Sequence, residues 1–276
     1  MILLDGKKLS QEILAGLREE ISKSQRKFSL AAVLVGVDPV IAKFVAQKKK
    51  IAEELGVNFR IYEYDAEIST NNLRKRIATI VHDADPDGVI IQLPLPEHIN
   101  TRHTLNSVPP EKDVDILSAK ALGNFFVGKS EVLPPVVGAI KALFDEYDII
   151  PKDKYVVVVG AGDLVGKPAA AWLLNEGATF SVVRSSTADI SEFTKKADII
   201  ITGVGKPGLI TGDMVKEGAV IVDAGTSESA GRLAGDADFD SVSAKAAYIT
   251  PVPGGAGPLP VAMISTRDIQ RIRTRQ

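Results

Sequence analysis

Tyr155-Val-Val-Val-Val-Gly-Ala-Gly-Asp-Leu-Val-Gly-Lys-Pro168 decides the fold. A β-branched run stops at Gly160, Gly162 follows, and Gly166 lies where a new helix should start. Continuous apolar runs of this kind are the mark of a parallel strand buried on both faces. Glycines just beyond such a strand let main chain approach a pyrophosphate, and the following helix N-terminus offers N–H groups and positive potential. The spacing G-x-G-x-x-x-G is one residue longer than the standard dinucleotide fingerprint. A plain strand–turn–helix would show the same pattern, so the neighbouring sequence has to decide.

A helix is expected from about Gly166 to Glu176, then Gly177-Ala178, then a strand over Thr179 to Val183. This makes a βαβ unit, and the tip of its second strand is where an adenosine ribose should lie. An NAD site would place Asp or Glu there. The chain has Arg184-Ser185-Ser186-Thr187 instead, a cation and three hydroxyls. That chemistry suits a 2′-phosphate and points to NADP. An ordinary exposed strand-end arginine is the alternative for Arg184.

Helix and strand signals also alternate upstream. A helix is expected over Ser10 to Ser22, a strand over Ser29 to Val35, and a helix after Asp38-Pro39 ending near Leu55-Gly56, with Asp38 as N-cap. Val57 to Tyr64 reads as a strand, Thr70 to His82 as a helix and Gly88 to Gln92 as a buried strand. This spacing implies parallel sheets with crossover helices, an α/β fold. The proline-rich stretch from Pro94 to Pro135 interrupts the pattern, and a helix over Val136 to Tyr147 leads into the nucleotide strand. Further strands are expected at Asp198 to Thr202 and Ala219 to Asp223, and a last helix after Pro258.

The 276 residues suffice for two domains. Hydrophobic content of 45% and charged content of 25% are those of a soluble globular chain, and the net charge of −2 gives no broad attraction to nucleic acid. With no cysteine, disulfides, thiolate metal sites and cysteine nucleophiles are excluded. His82, His98 and His103 match no metal-ligand spacing, so no metal is expected. Met1-Ile-Leu-Leu-Asp-Gly-Lys-Lys8 lacks a signal-peptide layout and no apolar run approaches membrane-spanning length, so a cytoplasmic protein is expected. The arginines at 267, 271, 273 and 275 read as a solvated helix end.

Few side chains are candidates for chemistry. Ile41, Phe44 and Lys48 share one helix face by their i, i+3, i+7 spacing. A lysine beside two large apolar groups would be partly desolvated, which favours acid/base use, but the residues alone favour a lysine snorkelling from a packed face beside Lys49 and Lys50. Gln92 opens Gln92-Leu-Pro-Leu-Pro96 at a strand's carboxyl end, where α/β proteins bind ligands. Asp113-Val-Asp115 could accept paired hydrogen bonds from a guanidine-like heterocycle edge, or be plain surface acid. Pro253-Gly-Gly-Ala-Gly257 would let main chain lie flat against a ligand, or be a turn before a helix.

These pieces come together in one family. Val35-Gly-Val-Asp-Pro39, Lys48, Gln92-Leu-Pro-Leu-Pro96, Lys112-Asp-Val-Asp115, Val165-Gly-Lys-Pro168, Gly205-Lys-Pro207, Gly235-Asp236 and Thr250-Pro-Val-Pro-Gly-Gly-Ala-Gly-Pro258 occur in order along nearly the whole chain. The sequence thereby resembles the bifunctional methylenetetrahydrofolate dehydrogenase/methenyltetrahydrofolate cyclohydrolases. The resemblance implies a three-layer α/β catalytic domain (1–135 and 257–276), a Rossmann-type NADP-binding domain (136–256), a folate-binding cleft between them, a homodimer, and a place in one-carbon metabolism and purine biosynthesis. It makes Lys48 the central acid/base group, with Gln92 beside it and Asp115 holding the pterin. Phe44, Leu93, Pro94, Pro253, Gly254 and Gly255 would line the substrate. Gly160, Ala161, Gly162, Val165, Gly166, Arg184, Ser185 and Thr226 would line the dinucleotide.

The departures are specific. Phe44 stands where the family has tyrosine, and Ile41 where it has serine. Gly160-Ala161-Gly162 replaces Gly-Arg-Ser, moving phosphate contacts onto Arg184 or Lys167. Ile116 replaces the glycine after the pterin aspartate, Pro134-Pro135-Val136-Val137 replaces Pro-Cys-Thr-Pro, and Leu259-Pro260 replaces Met-Thr. Three functions follow: the bifunctional enzyme, a dehydrogenase whose hydrolysis is weakened by Phe44 and Ile41, or a non-enzymatic folate- or nucleotide-binding protein. Retention of Lys48, Gln92 and Asp115 speaks against the third.

Overall fold

A computed structural model describes residues 1–24, 26–36, 39–229 and 232–259. Asp38 as N-cap, the last helix and the basic tail fall outside the described residues. By internal contacts the described chain divides into two units, 13–134 and 1–12 with the chain from 135 on.

Along the chain the first elements are β1 (Ile2–Leu3), α1 (Gly6–Lys23), β2 (Ser29–Val35), α2 (Pro39–Glu54) and β3 (Asn58–Tyr64). Then come α3 (Thr70–Thr79), β4 (Gly88–Ile91), α4 (Thr101–Leu105) and α5 (Ala119–Phe126). The unit 13–134 is built on the parallel sheet β3-β2-β4, with Ala32 opposite Ile61 and Ile90. Successive side chains of β2 face opposite ways. Leu30, Ala32 and Leu34 pack with Leu17 and Ile21 of α1 and Val45 and Ala52 of α2. Ala31, Val33 and Val35 pack with Leu73 and Ile77 of α3. Burial on both faces explains why β2 reads as an unbroken apolar run, and it makes this unit helix–sheet–helix.

Three elements differ from expectation. Helix α1 begins at Gly6, not Ser10, because the Asp5 carboxylate accepts the Lys8 N–H at 2.9 Å and starts the first turn. Helix α3 passes into one π-helical turn, Ile80–Ala84, which ends at Asp85 with φ +42°. The stretch 94–135 contains α4 and α5, capped by the side chains of Asn100 and Ser118.

The second unit holds α6 (Pro135–Glu146), β5 (Tyr155–Val159), α7 (Gly166–Asn175), β6 (Thr179–Val183), α8 (Ser191–Thr194) and β7 (Ile199–Thr202). It continues with β8 (Val220–Asp223), the hairpin β9 (Ser227–Ser229) and β10 (Arg232–Ala234), α9 (Phe239–Ser243) and β11 (Tyr248–Ile249). Its sheet runs β1-β11-β8-β7-β5-β6, parallel throughout. The expected boundary put residues 1–135 in the first domain, but β1 pairs with β11, Ile2 opposite Tyr248, so the first strand extends this second sheet. Val157, Ile200 and Ile221 meet Val242 and Ala246 on one face. Phe144 of α6 and Trp172 of α7 pack together with ring centroids 5.7 Å apart.

The chain leaves β5 towards β6 on one side and returns to β7 on the other. The strand order therefore reverses between β5 and β7, and ligands of open α/β sheets bind beyond the carboxyl ends of strands at such a point.

Candidate active site and dinucleotide site

In the unit 13–134, the Lys48 ammonium donates to the Gln92 Oε1 at 3.0 Å. Lys48 comes from α2 and is half-buried, as is Gln92. Gln92 continues β4: its N–H donates to the Val33 carbonyl at 3.0 Å. Its amide Nε2 donates to the Leu93 carbonyl at 2.8 Å, which turns Oε1 towards the lysine. The pair is thus set by one helix and one strand end, a rigid mounting. Leu93–Pro94 is a cis peptide. Phe44, one turn before Lys48, is 45% exposed. Ile41 differs: it packs partly against the core of this unit.

The segment that carries Asp115 begins beside β4. A parallel bridge joins Val89 to Asp113, and the Val89 N–H donates to the Lys112 carbonyl at 2.7 Å. The Asp113 carboxylate faces inward and accepts the Ser118 N–H at 2.7 Å, so the first aspartate of the pair is structural. Lys112 anchors the segment from the other side, donating to the carbonyls of Pro86 at 2.9 Å and Val81 at 3.3 Å and pairing with Asp85. The hydrogen bond and charge of Lys112 hold the Asp85 carboxyl below its usual range. Ile116 follows at φ +53° with its side chain buried.

The second unit carries the dinucleotide candidates. Gly160 has φ +101°, a region that favours glycine. Gly166 presses against the Gly160 carbonyl so closely that a Cβ would collide with it, and this sets α7 hard against the strand end. Around Gly162 the space is open. This is the cradle a pyrophosphate needs: free main chain, a helix N-terminus and no side chain in the way. Lys167 is engaged with Asp163 on the first turn of α7. Beyond β6 the Arg184 N–H donates to the Thr187 Oγ1 at 3.1 Å and the Thr187 N–H to the Arg184 carbonyl at 2.8 Å. That tight turn leaves Arg184, Ser185 and Ser186 exposed, and no acid occupies the ribose position. Thr226 is exposed after β8. The residues therefore fit NADP.

The Pro253–Gly257 turn follows β11. The Gly255 N–H donates to the Pro251 carbonyl at 2.7 Å, and the Lys7 N–H of α1 donates to the Gly254 carbonyl at 2.8 Å. Gly6 packs directly on the Gly255 carbonyl. Sequence reasoning overlooked this seat, although a glycine beside a capping aspartate was its signal.

It also passed over Asp223 at the end of β8. Asp223 is 2% exposed, and its carboxylate accepts the N–H groups of Gly225 and Ala237, both at 2.8 Å. Burial pushes its pKa up to about 6, against the lowering effect of those N–H donors and helped by the nearby Asp236 charge. Among the described residues no group of three or more His, Cys, Asp or Glu could hold a metal. No described helix is long and apolar enough to cross a membrane.

These residues define an α/β protein with a parallel-sheet dinucleotide site and a lysine–amide pair at the end of a second parallel sheet. Residues 4–115 match the family model described as tetrahydrofolate dehydrogenase/cyclohydrolase, catalytic domain, and residues 134–276 match its NAD(P)-binding domain. The chain belongs to the tetrahydrofolate dehydrogenase/cyclohydrolase family. A Nitratiruptor relative, Bifunctional protein FolD, is 40% identical over 280 residues, covering 100% of this chain and 99% of its own. The Campylobacter jejuni bifunctional FolD structure superposes with a TM-score of 0.95 at 38% identity, covering 100% of both chains. The Trypanosoma brucei dehydrogenase-cyclohydrolase, complexed with NADP and an inhibitor, gives 0.93 at 31% identity, covering 100% of this chain and 98% of that one.

Proposed function

We propose that this chain oxidises 5,10-methylenetetrahydrofolate to 5,10-methenyltetrahydrofolate with NADP and hydrolyses the product to 10-formyltetrahydrofolate. The Lys48–Gln92 contact at 3.0 Å carries this reading. NADP, when bound, supplies the two-electron acceptor. The oxidation removes no hydroxyl proton from the folate, so it asks the protein mainly to align its reactants. Gly160, Ala161, Gly162, Val165 and Gly166 offer main chain to the phosphates. Arg184 and Ser185 take the 2′-phosphate, and Thr226 lines the same site.

Hydrolysis needs more side-chain chemistry. Water adds to the methenyl carbon, and a proton must move before the ring opens. Lys48 is the group placed to handle it, and Gln92 holds the ammonium through its oriented carbonyl oxygen. Asp115 pairs with the pterin edge, and Phe44 stacks on its face. Leu93 and Pro94 contribute apolar contacts to the folate. A homodimer working in the cytoplasm and serving purine biosynthesis completes the proposal.

The test is Lys48→Met. Loss of a general acid/base costs about 10²–10⁴-fold, so methenyltetrahydrofolate hydrolysis should fall by at least about 100-fold while NADP binding stays intact. Hydrolysis at the wild-type rate would remove Lys48 from the role. A dehydrogenase without cyclohydrolase activity would instead accumulate the methenyl product in the unmodified protein.

A further inference from the structure

Gly235-Asp236 stood in the sequence as a motif fragment without a task. In the structure Asp236 is fully buried, and its carboxylate gathers three donors. Oδ2 accepts the Thr202 hydroxyl at 2.7 Å and the Val204 N–H at 2.6 Å, and Oδ1 accepts the Lys206 N–H at 2.8 Å. Two N–H groups of one loop thus converge on one anion, the arrangement of a backbone nest. The loop is Gly203-Val-Gly-Lys-Pro207, directly after β7. It holds two glycines, so unanchored it would sample many backbone states.

That loop stands at the point where the strand order reverses, and it abuts the glycine turn of β5. A Cβ on Gly203 would lie 2.5 Å from Val165 Cγ1, and a Cβ on Gly160 would lie 3.0 Å from Val204 Cγ2. Gly225, in the turn that carries Thr226, rests so close on the Asp236 carboxyl that any side chain there would collide with it. One buried carboxylate therefore lies under both loops that flank the dinucleotide turn.

We infer that Asp236 is a positioning residue for dinucleotide binding: it holds the 203–207 loop against Gly160 and Val165, and so sets NADP affinity rather than folate chemistry. The inference rests on the reading that places NADP at the Gly160–Gly166 turn. Replacement by asparagine keeps the shape but turns an NH₂ group towards N–H donors, which breaks the nest on one side.

The experiment uses the full chain and NADP as the probe. In Asp236→Asn the Kd for NADP should rise at least about tenfold, because the turn loses the wall that completes it; one lost charge-assisted hydrogen bond is worth about this much. Amide exchange should quicken in the 203–207 segment. Hydrolysis of methenyltetrahydrofolate and the KM for methylenetetrahydrofolate at saturating NADP should stay within about twofold of wild type. An Asp236→Asn protein that folds and binds NADP as tightly as wild type overturns the inference, as does an equal loss of hydrolysis and NADP binding. If Asp236→Asn does not fold, Gly203→Ala decides, since its Cβ must push the loop off Val165: weaker NADP binding supports the inference and unchanged binding overturns it. Arg184→Ala separates the two levels. If it weakens NADP binding while the Asp236→Asn and Gly203→Ala variants do not, only the inference falls. If none of them weakens it, the assignment of the site falls with it.

Discussion

Asp223 should make a contribution to stability that falls as pH rises, against the usual trend for carboxylates. Its folded pKa is about 6 against an ordinary value of 3.8. Between these values the folded chain holds a proton that the unfolded chain has lost, so unfolding becomes easier with rising pH. The contribution is fully present below about pH 4 and gone above about pH 6, and a shift of about two units corresponds to about 3 kcal/mol. Asp223→Asn removes the titration. It also points an NH₂ group at the N–H of Gly225 or Ala237, a pH-independent cost of about 1–3 kcal/mol. Relative to wild type, the variant should therefore be destabilised at pH 4 and recover by about 3 kcal/mol at pH 7. Urea unfolding followed by tryptophan fluorescence reads this directly. The single tryptophan, Trp172, is buried in the same unit as Asp223, so the signal reports that unit. A stability difference between variant and wild type that stays flat from pH 4 to pH 7, or runs the other way, refutes the reasoning. Asp85, Asp189, Asp198 and Asp213 have lowered values and tilt both proteins in the opposite direction, so they cancel in the difference.

Two further outcomes follow from the unit 13–134. Ile116→Gly would relieve a β-branched residue at φ +53°, worth about 1–2 kcal/mol, yet it deletes a side chain only 1% exposed, worth about 2–5 kcal/mol. Burial wins, so the variant should unfold at lower urea than wild type, and a more stable variant would show that strain dominates. Phe44→Tyr should raise cyclohydrolase turnover severalfold by giving the reacting region a hydroxyl on an exposed ring, and an unchanged or lower rate would show that the phenol is dispensable here.

Much of this was legible in the sequence, for identifiable reasons. β2, β5 and β8 are buried on both faces, so their composition alone marks them as parallel strands. Lys48 and Gln92 could be named as candidates, and the resemblance placed them side by side, but the bond between them depends on how a helix packs on a sheet. The first strand was not legible in the sequence because a two-residue strand carries no periodicity, and its pairing with β11 is set wholly by tertiary contact. Asp223 and Asp236 were invisible as functional groups because a buried acid reveals itself only through the main-chain donors around it. The same holds for Lys112, whose ammonium is spent on carbonyls at the end of a π turn no pattern signals.

The turn after β6 has a practical consequence. Its backbone is closed on itself by Thr187, so the exposed positions 184, 185 and 186 can change without disturbing a core. The glycine contacts at 160, 166 and 203 allow no such freedom. On the proposed assignment of the site, a short library at these three surface positions should alter selectivity between phosphorylated and unphosphorylated coenzymes, while overall grip on the coenzyme is inherited from residues such a library leaves alone.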